Sequence, residues 1–276
     1  MDIDHLRQWI GRSETSEDVA SEGPLAGLAA LLDRAEPWKD FVPPLAHWLY
    51  FLPHARQSEI DVDGHARRGA FLPPIDLPRR MWAGGRLTFE ADIPIGASIA
   101  RRSTIADVTA KTGSTGAMVF VTVHHEILTK EGVAIREEQD IVFREAPKPG
   151  TQPPARQSAG EAAQDSRRIT PDPTQLFRFS ALTFNAHRIH YDRDYCRDVE
   201  GYPGLVVQGP FTAMLLMDHL RTSLPDAHVR SFKFRARSPL FDSAPFDLCL
   251  NAREGGADLW AQGPDAKAMV AEARFA

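Results

Sequence analysis

The chain has 276 residues, 43% of them hydrophobic and 25% charged, with a formal net charge of −5; that suffices for one large core or two small ones and gives no global field to gather nucleic acid. No run approaches the roughly 20 apolar residues of a membrane helix, and the charged, amphipathic N-terminus lacks the apolar block of a signal peptide. Two cysteines, Cys196 and Cys249, exclude a disulfide scaffold and fit a reducing compartment, so the expected setting is cytoplasmic.

Leu25, Leu28, Leu31 and Leu32 fall at helical spacing and predict a helix near residues 16 to 34. The aromatic, proline-bracketed FVPPLAHWLYFLP follows. Strand signals then come in series: GRLTFEADI ending before Pro94, SIARRSTIADVTAK, GAMVFVTVHHEIL and VAIREEQDIVFRE. Val119, Val121 and Val123 share one face of the third; His124–His125 reads as a solvated feature of the same strand. Gly-containing turns such as KTGSTG and KEGV predict an antiparallel meander.

Residues 146–175, rich in Pro, Gly, Ser, Gln and Ala, read as an exposed linker. It divides an N-terminal unit, 1–145, from a C-terminal unit, 176–276. The second unit repeats the plan. Gly209–Pro210 opens the helix FTAMLLMDHLRTSL, where a proline in the first turn breaks no bond. Four strands follow: HVRSFKFRARSPLF, APFDLCLNAR, ADLWAQG and KAMVAEARF. In the first of them Lys233, Arg235 and Arg237 make a basic face, either a solvated edge or a contact for an anionic ligand. A helix followed by about four strands, twice, suggests a duplicated sheet wrapped on a helix.

Early in the second unit, ahead of its helix, lies FNAHRIHYDR, residues 184–193, with two histidines, two arginines, an asparagine and an aspartate. His190 can move a proton near neutrality, and Asn185 can hold a water. Arg188 can grip a carboxylate or pair with Asp192 or Asp194. No HExxH, no G-x-S-x-G and no cysteine–acid cluster occurs, so neither a metal nor a nucleophile is expected.

The cluster resembles the signature of MaoC-like, hot-dog-fold hydratases, a loop S-G-D-x-N-P-L-H followed by H-G-M at the start of a helix. On that resemblance the catalytic histidine falls on His190, the family's aspartate on Asn185, its asparagine and proline on His187 and Arg188, and H-G-M on Gln208-Gly209-Pro210. Further stretches, PPLAHWLYFLP, FLPPIDLPRRMWAGG, EEQDIVFRE and EGYPGLVVQGP, resemble the branch of mesaconyl-C4-CoA and itaconyl-CoA hydratases and mitochondrial 3-hydroxyacyl-thioester dehydratases. The resemblance implies an α+β double hot-dog with a short or degenerate helix in the first half, where PRRMWAGG interrupts helical patterning. It implies reversible hydration of a 2-enoyl-CoA, with His190 as acid–base, Asn185 holding water and backbone N–H groups near Gly204 and Gly209 facing the thioester oxygen. Arg188, Tyr191, Val207, Gln208, Arg235 and Arg237 complete the expected substrate contacts, with Tyr191 and Asp192 orienting His190. Coenzyme A enters as part of the substrate, no separate cofactor is expected, and a homodimer is the default assembly. A hot-dog thioesterase and a decayed acyl-CoA-binding subunit remain as alternatives.

Overall fold

The computed structural model describes residues 2–113, 116–145 and 162–276. Its centre is one ten-stranded antiparallel sheet in the order β1-β3-β4-β5-β2-β7-β10-β9-β8-β6. The strands are β1 (Ser13–Val19), β2 (Arg79–Phe89), β3 (Ser98–Gly113), β4 (Gly116–Thr129), β5 (Gly132–Arg144), β6 (Asp165–Ile169), β7 (Val229–Ala236), β8 (Phe246–Arg253), β9 (Gly256–Gln262) and β10 (Lys267–Phe275). The helices are α1 (Ile3–Arg7), α2 (Glu22–Leu31), α3 (Pro173–Leu182), α4 (Arg193–Asp198) and α5 (Gly209–Ser223).

Each half contributes five strands, and β2 joins them by pairing with β7. The seam explains WAGG. Gly84 lies opposite Arg235 and Gly85 opposite Phe234. A Cβ at Gly84 would meet the Phe234 carbonyl oxygen at 2.6 Å, and one at Gly85 the Phe234 ring at 2.8 Å. The glycines expected to interrupt a helix instead let two strands approach closely.

Alternation holds in β4, where Val119, Val121 and Val123 are buried. The same parity carries His125 inward. It is buried and its Nδ1 meets Ser103 Oγ at 2.8 Å, so only His124 faces solvent as expected. The helix expected over 16–34 begins later. Its first residues, 16–19, belong to the polar edge strand Ser13–Val19 that pairs with β3, and the helix is the ten-residue α2. The α5 helix is buried from Phe211 to Leu220, mostly apolar but with Thr212, Asp218 and His219 among the buried residues, as befits a helix inside a wrapped sheet. Leu25, Leu28 and Leu31 of α2 share its core.

The expected linker is shorter than its composition implies. Its part at 146–161 lies outside the described residues. Residues 165–169 form β6, paired with β8, and Pro173 starts α3, whose first N–H groups are capped by Asp172. An edge strand with one wet face accepts the polar DSRRI that read as linker.

The stretch FVPPLAHWLYFLP packs on β5 through a buried carboxylate. Glu137 accepts from His47 Nε2, Trp48 Nε1 and Gln139 Nε2, each at 2.9 Å. Burial alone would raise this carboxyl, but the His47 hydrogen bond and the charges of His47 and His125 hold it down to about 2. Trp48 then meets Trp82 edge-on, and the Trp82 carbonyl faces Gly209. The network thus connects β5 to the N-terminus of α5.

Candidate active site

The site forms where α3 ends. Phe184 turns the chain in the left-handed region, φ 48°, and Asn185 Oδ1 accepts the His187 N–H at 3.0 Å, an Asx turn. A short 3₁₀ turn, Arg188–His190, follows, and Asp192 caps α4 by accepting from Tyr195 N–H. His190 is thereby buried, 7% exposed. Its Nδ1 lies 2.7 Å from the Val206 carbonyl oxygen. A carbonyl only accepts, so Nδ1 carries the proton and Nε2 keeps its lone pair. Burial pushes His190 down to about 4, against the pull of the Val206 hydrogen bond. At neutral pH it is a base.

A second loop meets it from the first half. The N–H of Arg188 donates to the Asp63 carbonyl at 2.9 Å. His65 bonds Asp63 Oδ2 through Nδ1 at 3.0 Å. The His65 ring lies 4.0 Å from that of His187, which stands edge-on to His190 at 5.3 Å. Burial, with His65 and His190 beside it, pushes His187 down to about 2. Gly64 makes the contact possible, with φ 91° and a Cβ position 1.8 Å from the Ala186 oxygen. Asp63, His65 and His187 place one donor atom each within 4.8 Å of one another, a composition suited to a divalent ion. The Arg80 charge acts on all three, which disfavours a cation there.

The other expected residues divide. Arg188 is tied to the loop: its Nη2 and Nε reach Asp192 Oδ2 at 2.7 and 3.0 Å, its Nη1 reaches the Val62 carbonyl, and it lies over Tyr195. Asp192 therefore orients Arg188 and α4, not His190. Tyr191 is exposed and donates to the Ala186 carbonyl at 3.0 Å. The Gln208 amide donates to Leu176 O and Ser180 Oγ, so it fastens α5 to α3. Val207 N–H is engaged by Leu240 O. Gly204 leaves room for Asp242, which accepts from Leu205 N–H and pairs with Arg193. Gly209 keeps its expected position, since the first bond of α5 runs from Thr212 N to Gln208 O and leaves the Gly209 N–H ahead of the ladder. Lys233, Arg235 and Arg237 are exposed. Lys233 borders an open groove of about 700 Å³ lined by both signs of charge, including Arg86, Glu126 and Glu138, and by none of the residues around His190. Both cysteines are buried, free thiols pushed up to about 11 by burial.

Residues 45–242 match the model of the hydroxyacyl-thioester dehydratase type 2 family. This chain belongs to that family. Mesaconyl-C(4)-CoA hydratase of Chloroflexus aurantiacus is 48% identical over 264 residues, 93% of this chain and 92% of the relative. The mitochondrial hydroxyacyl-thioester dehydratase type 2 of Schizosaccharomyces pombe is 26% identical, over 85% of this chain and 89% of its own. Among solved structures, a MaoC-like dehydratase from Phytophthora capsici superposes with a TM-score of 0.73 at 12% identity, covering 100% of this chain and 98% of its own. A Mycobacterium tuberculosis protein described as a double hot-dog fold gives 0.56 at 14%, covering 96% of each chain. The expected α+β double hot-dog is the fold. Hydratase and dehydratase name two directions of one reaction, so this family member is a hydro-lyase acting on acyl thioesters. No helix among the described residues is long and apolar enough to cross a membrane.

The hydroxyacyl-thioester dehydratase loop was legible in sequence, but Asp63, His65 and Arg80 were not singled out. Their signal was present, since DVDGHARRG is as polar as FNAHRIHYDR and the stretch FLPPIDLPRRMWAGG resembles the same branch. No local pattern joins positions more than a hundred residues apart.

Proposed function

We propose that this enzyme reversibly hydrates a short branched dicarboxylic enoyl-CoA, with mesaconyl-C4-CoA as substrate. One observation carries the chemistry: a buried histidine whose Nδ1 is fixed by the Val206 carbonyl and whose Nε2 is a free base at neutral pH. The 48% identical relative supports the acyl group. In hydration, His190 Nε2 takes a proton from water as its oxygen bonds to C3. The C2–C3 π electrons move toward the thioester, whose oxygen takes up negative charge. The Gly209 N–H, at the positive end of α5, faces that charge. The proton on His190 then passes to C2, so all atoms of water are retained. Dehydration reverses each step. Asn185 holds the loop in register for this transfer.

Coenzyme A is part of the substrate and no separate cofactor takes part. The reading extends to a homodimer in the cytoplasm, and light scattering at twice the chain mass is its test. A panel of crotonyl-, mesaconyl-C4- and itaconyl-CoA, followed by absorbance of the enoyl thioester, tests the function. Fastest loss with mesaconyl-C4-CoA supports it. Release of free thiol without loss of the double bond would make the enzyme a thioesterase instead, and inactivity on the whole panel would make it a binding subunit.

A further inference from the structure

The substrate just proposed has a free carboxylate on C3, the carbon that water attacks. Its anchor must therefore stand beside His190. Arg188 had the right chemistry and the right place in sequence, but its guanidinium is already bonded to Asp192 and Val62. Two other arginines near the site are equally engaged. Arg68 donates to the carbonyls of Ile75, Leu77 and Pro78. Arg79 pairs with Glu200 at 3.0 Å and lies over Tyr202.

Arg80 is different. It opens β2 beside Arg79 and is half-buried, and its guanidinium makes no hydrogen bond or ion pair with any described residue. Arg79 before it pairs with Glu200, and two residues further along β2 the Trp82 carbonyl faces Gly209 at the start of α5, so the strand carries Arg80 past the site; there its charge acts on His65 and His187, the two rings that lead to His190. Burial pushes the guanidinium below its usual range, and Asp63 opposes this from beyond ion-pair distance. A cation half out of water with no partner is costly, and an anion brought by a ligand would offset that cost. Asp63 cannot serve, because its carboxylate is held by His65. The planar fork of arginine matches a carboxylate with two parallel bonds.

We infer that Arg80 is the specificity-determining residue of this hydratase, binding the C3 carboxylate of a dicarboxylic monothioester between β2 and the His65–His187 pair. The inference rests on the hydration reading above. It predicts that wild type discriminates strongly between mesaconyl-C4-CoA and its methyl ester, a comparison that needs no variant. Arg80→Met lowers kcat/KM for mesaconyl-C4-CoA by roughly ten- to a hundredfold, the size of a charge-assisted hydrogen bond, and leaves crotonyl-CoA unchanged. Arg80→Lys recovers only part of the loss. Thermal melts of both variants accompany the kinetics. Equal loss on both substrates, or no loss on either, overturns the assignment, as does equal turnover of acid and ester by wild type. A wild type that hydrates crotonyl-CoA but ignores mesaconyl-C4-CoA also overturns it while leaving hydration intact. A wild type inactive on every enoyl-CoA instead removes the hydration reading itself. Calorimetric titration with Zn²⁺ separates the rival ligand: stoichiometric binding lost in His65→Ala would make the cluster a cation site and contradict an anion there.

Discussion

Asn185 is expected from the sequence to hold a water, in the place of the family's aspartate. Its Oδ1 also has a structural task, accepting the His187 N–H, and the left-handed residue of the turn is Phe184. An aspartate oxygen accepts that bond equally well, whereas alanine cannot. Asn185→Asp should keep kcat within about threefold, and Asn185→Ala should lose about 1 kcal/mol of stability along with most activity. Steady-state kinetics with urea melts checks this. An alanine variant of full activity would mean the turn stands without its side chain. His190 is marked in the sequence by the resemblance of its loop to the hydratase signature, but its tautomer and its base form follow from burial and Val206, which only tertiary structure supplies.

At the scale of elements, two loops make the site, and Gly64 is their contact point. An alanine there would need a left-handed φ and would place its methyl 1.8 Å from the Ala186 oxygen. The loops would have to part. Gly64→Ala is expected to cost more than about 1 kcal/mol and to cut kcat/KM at least as severely as loss of a proton-transfer geometry, about a hundredfold. Wild-type kinetics in the folded variant would show that the first-half loop is dispensable. The strands were legible because Val119, Val121 and Val123 alternate plainly. The misread elements have physical reasons. The polar SETSEDV and DSRRI are edge strands with wet faces. PRRMWAGG looked like a broken helix because its glycines serve a strand seam.

For the whole molecule, buried titratable groups make acid the hazard. His190 and His125 are pushed down to about 4, and His187 to about 2. Above pH 6.5 they are neutral folded and unfolded alike. As pH falls below 6.5 the unfolded chain takes up protons that the folded state refuses, so stability declines through this window. Glu137, held to about 2, adds a further decline as pH falls from 4.5 to about 2. The urea midpoint should fall steadily from pH 7 to pH 5, and a flat midpoint over that range would contradict burial of neutral histidines. Both halves must stay docked for the chemistry, because His190 comes from one and its neighbour His65 from the other. The central claim is that this assembled centre adds water through His190. Its most direct test is the rate of enoyl absorbance loss from mesaconyl-C4-CoA with wild type and with a folded His190→Ala variant. A fall in kcat of at least about a hundredfold is predicted; a His190→Ala enzyme as fast as wild type would contradict the account.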